Sequence, residues 1–197
     1  MIGRYIYNLL KKQIYTPSIL GILVNPLFII RYTLFKYLKS SFQYLTGKVL
    51  DFGCGFSPYK NYINCDEYVR VDIASTYNNF GTLKDTIIYY DGKTLPFKDE
   101  EFDSIFCTEV LEHIPNIEEI TSELYRVLKS KGIILISVPF TWDEHEVPND
   151  FRRFTQFGIK LLLEKNGFNV INIKKTTKTI HTITQLLTNA IFRAIFT

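Results

Sequence analysis

The sequence predicts an α/β fold, a doubly wound and mostly parallel sheet with helices on both faces. Three observations predict it. From Lys48 to Val170, short β-branched runs alternate with helical patterns, as strand–helix–strand units require. The chain has 197 residues and 46% hydrophobic content, enough for one sizeable core and too little for two comfortable domains. A glycine turn, "DFGCGFSPYK" from Asp51 to Lys60, follows the apolar run Lys48-Val-Leu50. Open parallel sheets bind ligands at such strand ends.

The elements follow in chain order. Residues 1–46 form an N-terminal helical extension of one or two amphipathic helices, with Pro17 and Pro26 as breakers. Expected strands are Lys48 to Phe52, Tyr68 to Asp72, Thr86 to Tyr90, Phe102 to Thr108, Ile133 to Val138 and Phe168 to Lys174. A helix is expected from Pro58, with Ser57 as its N-cap, since proline is tolerated in a first turn. Ile117 to Lys129 reads as a helix because Ile117, Ile120, Leu124, Val127 and Leu128 recur at helical spacing, with Lys131-Gly132 as the stop. Thr155 caps a further helix that runs to Asn166 and closes at Gly167. The sheet domain then spans residues 47–178, and residues 179–197 form a C-terminal amphipathic helix.

Composition bounds the function. Cys54, Cys65 and Cys107 are odd in number and lack paired or metal-ligand spacing, which points to a reduced, cytoplasmic setting. His113, His145 and His181 complete no zinc motif with them, so no metal is expected. The run from Ile19 to Ile30 is interrupted by Gly21, Asn25 and Pro26, lacks a signal cleavage site and is too short for a membrane span. All 20 acidic residues lie between Asp51 and Glu164, whereas the first 48 residues hold seven Lys or Arg and no acid. That division is read in two ways, as ordinary helices at both ends or as peripheral contact with an anionic membrane through Arg4, Lys11, Lys12, Arg31, Lys36 and Lys39.

The turn alone leaves dinucleotides, nucleotides and S-adenosylmethionine open. Gly53 and Gly55 fit the start of a dinucleotide fingerprint, but Pro58 stands where its third glycine belongs. Asp72, about 20 residues downstream, suits ribose hydroxyls in either kind of cofactor. As a turn residue it would instead cap Ser75 or Thr76.

Two further stretches, "YYDGKTLPFKDEEFDSIFCTEVLEHIPN" (89–116) and "ELYRVLKSKGIILISVPF" (123–140), resemble the class I S-adenosylmethionine-dependent methyltransferases of the type 11 kind in order and spacing. The resemblance covers Lys48 to about Lys174. It implies a Rossmann-like fold and S-adenosyl-L-methionine as cofactor. Asp51, Gly53, Cys54 and Gly55 would then face the cofactor's amino and carboxylate groups, Asp72 and Ile73 its ribose, Asp91 and Gly92 its adenine, and Cys107, Thr108 and Glu109 its methionine end. Glu112 and His113 read more readily as capping or sheet-edge residues than as catalysts. The family's sheet normally ends in a seventh, antiparallel strand, and nothing after Ile180 reads as one.

The acceptor would meet "PFTWDEHEVPNDFRRFTQFGIKLLLEKNGF" (139–168), whose loop is unusually polar for a connection. Its pattern His-x-x-Pro-x-Asp-Phe-x-Arg-Phe-Thr resembles methyltransferases found with polysaccharide and glycan biosynthesis. His145 is the expected general base, with Trp142, Asp150, Arg152 and Arg153 at the acceptor and an arginine facing an anionic part of it. The plainer reading is that Asp150 and Arg153 pair to hold the loop. The expected activity is methyl transfer to a small-molecule or glycan hydroxyl, including a lipid-linked sugar. The alternatives are a non-catalytic cofactor-binding or membrane-docking subunit and an NAD-dependent oxidoreductase. No nucleic acid is expected, since the fourth strand lacks an Asn-Pro-Pro-Tyr or Asp-Pro-Pro-Tyr motif.

Overall fold

The structure, a computed structural model, describes residues 12–23, 25–74 and 86–196. Arg4 and Lys11, and the caps expected at Ser75 and Thr76, lie outside them. The strands are β1 (Lys48–Phe52), β2 (Glu67–Ile73), β3 (Ile88–Tyr90), β4 (Phe102–Thr108) and β5 (Leu128–Ser137). The helices are α1 (Phe28–Ser41), α2 (Ile117–Val127), α3 (Gln156–Lys165) and α4 (Thr179–Phe196). Two compact units result: residues 42–173, and a helical unit of residues 1–41 with 174–197.

In the larger unit the five strands run in the order β3-β2-β1-β4-β5, every pair parallel. Strand order reverses between β1 and β4, so the open crevice of this Rossmann-like sheet lies beyond their carboxyl ends. Central strands of a parallel sheet are covered on both faces and read as continuous apolar runs. Val49, Leu50, Phe52, Phe102, Ile105, Phe106 and Cys107 accordingly are all buried. On α2, Ile120, Leu124 and Val127 face the same core from one helical stripe. Thr155 caps α3 as expected, its Oγ1 accepting the N–H of Gly158 at 3.0 Å. Gly167 closes the helix with φ +92°, a conformation that favours glycine.

Three expectations fail. Helix α2 ends at Val127 rather than Lys129, because Leu128 takes extended angles and pairs with Phe102 at the start of β5. A register shift between Phe102 and Ser104, with Lys131 at φ 66°, absorbs the extra residues. No helix starts at Pro58. The Ser57 hydroxyl donates to Asp51 Oδ2 at 2.9 Å instead of capping, Ser57 sits at φ 46°, and only a short 3-10 turn follows at Lys60–Tyr62. Phe168 to Lys174 is not a strand. Phe168 anchors in the core edge-on to Tyr125, while Ile171 is 79% exposed, so the run has β propensity but no ladder partner among the described residues.

In the helical unit, α1 and α4 are joined through Gln185. Its Oε1 accepts the N–H groups of Ile29 and Ile30, at 3.1 and 3.4 Å, and its Nε2 donates to the Pro26 carbonyl. First-turn amides of α1 are satisfied by a side chain of α4 rather than by a local cap.

Phe106 on β4 packs edge-on against Phe42 and Tyr59, with centroids 5.7 and 5.9 Å away. Phe106→Ala should cost about 3–5 kcal/mol in urea unfolding, while the exposed Ile171→Thr should stay within about 0.5 kcal/mol. A large loss at Ile171 would show that its segment does pair as a strand.

Candidate cofactor and acceptor site

The site grows from the carboxyl ends of β1, β2, β3 and β4. Asp51, the fourth residue of β1, is 3% exposed, and its Oδ2 accepts the hydroxyls of Ser57 and Tyr68 at 2.9 and 2.8 Å. Burial pushes its carboxyl up to about 6 against those two hydrogen bonds. Asp51 therefore supports the turn from beneath, and Tyr68, which the sequence reading passed over, holds it there. No pattern in the sequence joins the two residues; the parallel register, with Val49 opposite Tyr68 and Asp51 opposite Arg70, sets Tyr68 two positions from Asp51 on the neighbouring strand.

The two glycines of the turn differ. Gly53 has φ +65°, and a Cβ there would meet Val110 at 2.5 Å, so its face is filled by protein. Gly55 has φ +49° and open space where a side chain would be. Its N–H donates to Asp72 Oδ2 at 2.9 Å, and Asp72 Oδ1 takes the N–H of Ile73 at 2.8 Å. The Cys54 thiol also approaches Asp72 Oδ2, at 3.9 Å, so the carboxylate is fixed by the turn beside the gap at Gly55. Cys54 is buried, and burial raises its thiol far above the ordinary range, so it is a small turn residue and not a nucleophile.

Asp91 and Gly92 follow β3, whose Tyr89 and Tyr90 pair with Asp72 and Ile73. Asp91 Oδ1 accepts the N–H groups of Lys93 and Thr94, which hold its carboxyl low, and Gly92 also faces open space. At the end of β4, Thr108 Oγ1 and Ser137 Oγ are 2.6 Å apart, and Ser137 donates to Glu109 Oε1 at 2.9 Å. Glu109 has φ 53°, a left-handed conformation for a residue with a side chain. Such strain concentrates at functional sites.

The polar loop after β5 is self-bonded. Arg153 donates to both oxygens of Asp150 and to the backbone carbonyls of Trp142, Asp143 and Arg152. Its five N–H donors are spent there. Arg152 donates to the carbonyls of Ile114 and Pro115. Arg153 braces the loop, and Arg152 ties it to the carbonyls of Ile114 and Pro115. Trp142 is engaged through its carbonyl. Asp150 accepts the His145 amide at 2.9 Å, and with Arg153 bound its carboxyl is held well below the ordinary range.

His145 meets His113 edge-on, ring centroids 4.8 Å apart. Beside them Glu112 is fully buried, and neither of its carboxylate oxygens has a hydrogen bond. Burial, then the charge of Glu109, pushes that carboxyl up to about 8. The sequence offered the string Glu-His at 112–113 but no sign that His145 would meet it.

Residues 50–136 match the family described as a methyltransferase domain. That segment is similar to a methyltransferase domain. Its cofactor is S-adenosyl-L-methionine, and the open faces at Gly55 and Gly92, with the Asp72 carboxylate fixed beside the first, fit a ligand with ribose hydroxyls and no pyrophosphate. Among curated proteins the chain is 34% identical over 126 residues to an uncharacterized protein of Methanocaldococcus jannaschii, covering 62% of this chain and 55% of that one. It is 29% identical over 126 residues to a sterol 24-C-methyltransferase of Yarrowia lipolytica, covering 57% of this chain and 33% of that protein. The methyltransferase domain thus spans about half or less of the curated relatives it matches. Among solved structures it is similar to an S-adenosylmethionine-dependent methyltransferase of Aquifex aeolicus, with a TM-score of 0.56 at 18% identity over 71% of this chain and 82% of that one.

Asp51 supplies a pH test. The folded chain keeps the Asp51 proton up to about pH 6, whereas an ordinary aspartate has a value of 3.8. The folded state binds more protons in that window, so Asp51 lowers stability as pH rises from about 4 to 6, by up to about 3 kcal/mol. Thermal melts across this range should show the wild type losing stability relative to Asp51→Asn; parallel curves would contradict the assignment.

Proposed function

We propose that the chain transfers the methyl group of S-adenosylmethionine to a hydroxyl of a small-molecule or glycan acceptor, with His145 making the acceptor oxygen reactive. The observation that carries this reading is the polar cluster of Glu112, His113 and His145 beside the strained Glu109 at the end of β4. His145 Nδ1 lies 3.2 Å from both the Asp143 carbonyl and Asp150 Oδ2. Two acceptors there favour the tautomer with the proton on Nδ1, which leaves the Nε2 lone pair for chemistry. Methyl transfer from a sulfonium is an in-line displacement, and most of its acceleration comes from holding nucleophile, methyl carbon and sulfur in line. The self-bonded loop braced by Arg152 and Arg153 gives His145 the rigidity that alignment needs.

Methyl transfer to carbon is a second reading, supported by the sterol 24-C-methyltransferase relatives. The density of polar groups in the loop favours oxygen. An NAD-dependent reaction has against it Pro58 in place of a third glycine.

We also propose that the helical unit rests on an anionic membrane surface. No described helix is long and apolar enough to cross a membrane. Helix α4, however, is inverted for water: Gln185 and Asn189 are buried, whereas Ile180, Ile183, Leu187, Ile191 and Ile195 are exposed at helical spacing. The chain after Glu164 has no acid. An apolar stripe within a cationic segment suits a lipid interface.

Incubation of metabolite extracts with the protein and S-adenosylmethionine, followed by mass spectrometry, should reveal a product heavier by one methylene unit. His145→Ala should reduce its formation by about 10²–10⁴-fold with cofactor affinity unchanged. An undiminished rate would remove His145 from the reaction. In flotation, the full chain should rise with vesicles rich in anionic lipid and less so after Leu187→Gln with Ile191→Gln. Equal recovery with neutral and anionic vesicles would contradict the membrane reading.

A further inference from the structure

We propose that Glu112, His113 and His145 bind a divalent first-row transition metal ion. One donor atom from each lies within 4.8 Å of the other two. His113 Nε2 stands 3.7 Å from Glu112 Oε1, too far for a hydrogen bond and close to the roughly 3–3.5 Å that separates donors on one ion with bonds of about 2.0–2.2 Å. Small side-chain rotations bring the third donor in.

Three independent features point to a cation. The first is Glu112, fully buried with both carboxylate oxygens lacking a hydrogen bond. A buried carboxylate without partners is costly, and a cation between the rings removes that cost. The second is the orientation of the imidazoles. His113 Nδ1 lies 2.6 Å from the Asn149 carbonyl, and His145 Nδ1 lies 3.2 Å from the Asp143 carbonyl. A carbonyl only accepts, so His113 Nδ1 carries the proton; at His145 Nδ1 the Asp143 carbonyl and Asp150 Oδ2, both at 3.2 Å, outweigh the Arg153 guanidinium at 3.4 Å, and each Nε2 keeps its lone pair. Histidine ligands are held in this way in metal sites, where an outer carbonyl or carboxylate fixes tautomer and ring. The third is the backbone frame. Phe151 donates its N–H to the Glu112 carbonyl at 2.9 Å, and Asp150 accepts the His145 amide, so the two segments that supply ligands are fastened together.

Two imidazoles and one carboxylate make a donor set for Zn²⁺, Mn²⁺, Fe²⁺ or Co²⁺. The side chains of His113 and His145 are 16% and 33% exposed, which leaves the ion open on one side. There it would take an acceptor hydroxyl. The role rests on the proposed function; the binding does not. With the hydroxyl on the ion, its O–H proton is released to bulk water. The oxygen lone pair then forms the C–O bond to the methyl carbon as the C–S bond breaks and its electron pair returns to sulfur. His145 then acts through the metal, in place of the general-base role expected from the sequence.

Titration of the full, chelator-treated chain with Co²⁺, followed by its visible absorption, tests the site without any turnover. A single saturable equivalent that Zn²⁺ displaces is expected. Binding should weaken at least about tenfold in His113→Ala and in His145→Ala, the latter on an exposed loop where folding is not at risk. No saturable uptake, or uptake unchanged in both variants, would overturn the site. Cofactor affinity measured on the same samples reports separately on the proposed methyl transfer.

Discussion

The hydrogen bond from the Gly55 amide to the Asp72 carboxylate ties the end of β1 to the end of β2, and the rest of the site is arranged around it. It fixes the turn in a left-handed conformation that leaves open space at Gly55, and it orients the Asp72 carboxylate beside that space. Beneath it, Asp51 is held by Ser57 and Tyr68, so the turn stands on a second carboxylate removed from water. Charged groups of one sign in a low-dielectric crevice repel one another and disfavour ionisation. A positively charged sulfonium would relieve that repulsion, and a pyrophosphate would add to it.

The same logic extends along the crevice. Parallel strands deliver their carboxyl ends to one edge of the sheet, and here that edge carries Asp51, Asp72, Asp91 and Glu109 in turn, with Glu112 just beyond β4. Asp51, Asp72, Asp91 and Glu109 have hydrogen-bonded partners, whereas the oxygens of Glu112 lack them and have two histidines beside them. Under the proposed function that contrast separates binding from chemistry within a single row of acids.

The alternation of strands and helices was legible because parallel core strands are apolar on both faces, and α2 and α3 carry strong stripes and a true cap. Asp72, Gly55 and Glu109 do stand at or just beyond strand ends, where the sequence placed them. The failures have physical causes. Ser57 and Pro58 have the residue types of a helix start, but the Ser57 hydroxyl is drawn to Asp51 across the turn. Phe168 to Lys174 has strand propensity without a neighbouring edge. Local sequence does not reveal that Arg153 spends its donors on Asp150 and backbone carbonyls, or that Arg152 reaches the carbonyls of Ile114 and Pro115. His145 lies more than thirty positions from the adjacent Glu112 and His113, and only the fold brings it to them.

Calorimetric titration of S-adenosylmethionine and of NAD into the wild type and Asp72→Ala tests the central claim most directly. The account predicts saturable binding of S-adenosylmethionine, no heat with NAD, and at least about tenfold weaker cofactor binding in Asp72→Ala, since a hydrogen bond to a charged group contributes roughly 1.5–3 kcal/mol. Binding of NAD alone, or equal S-adenosylmethionine affinity in the two proteins, would contradict it.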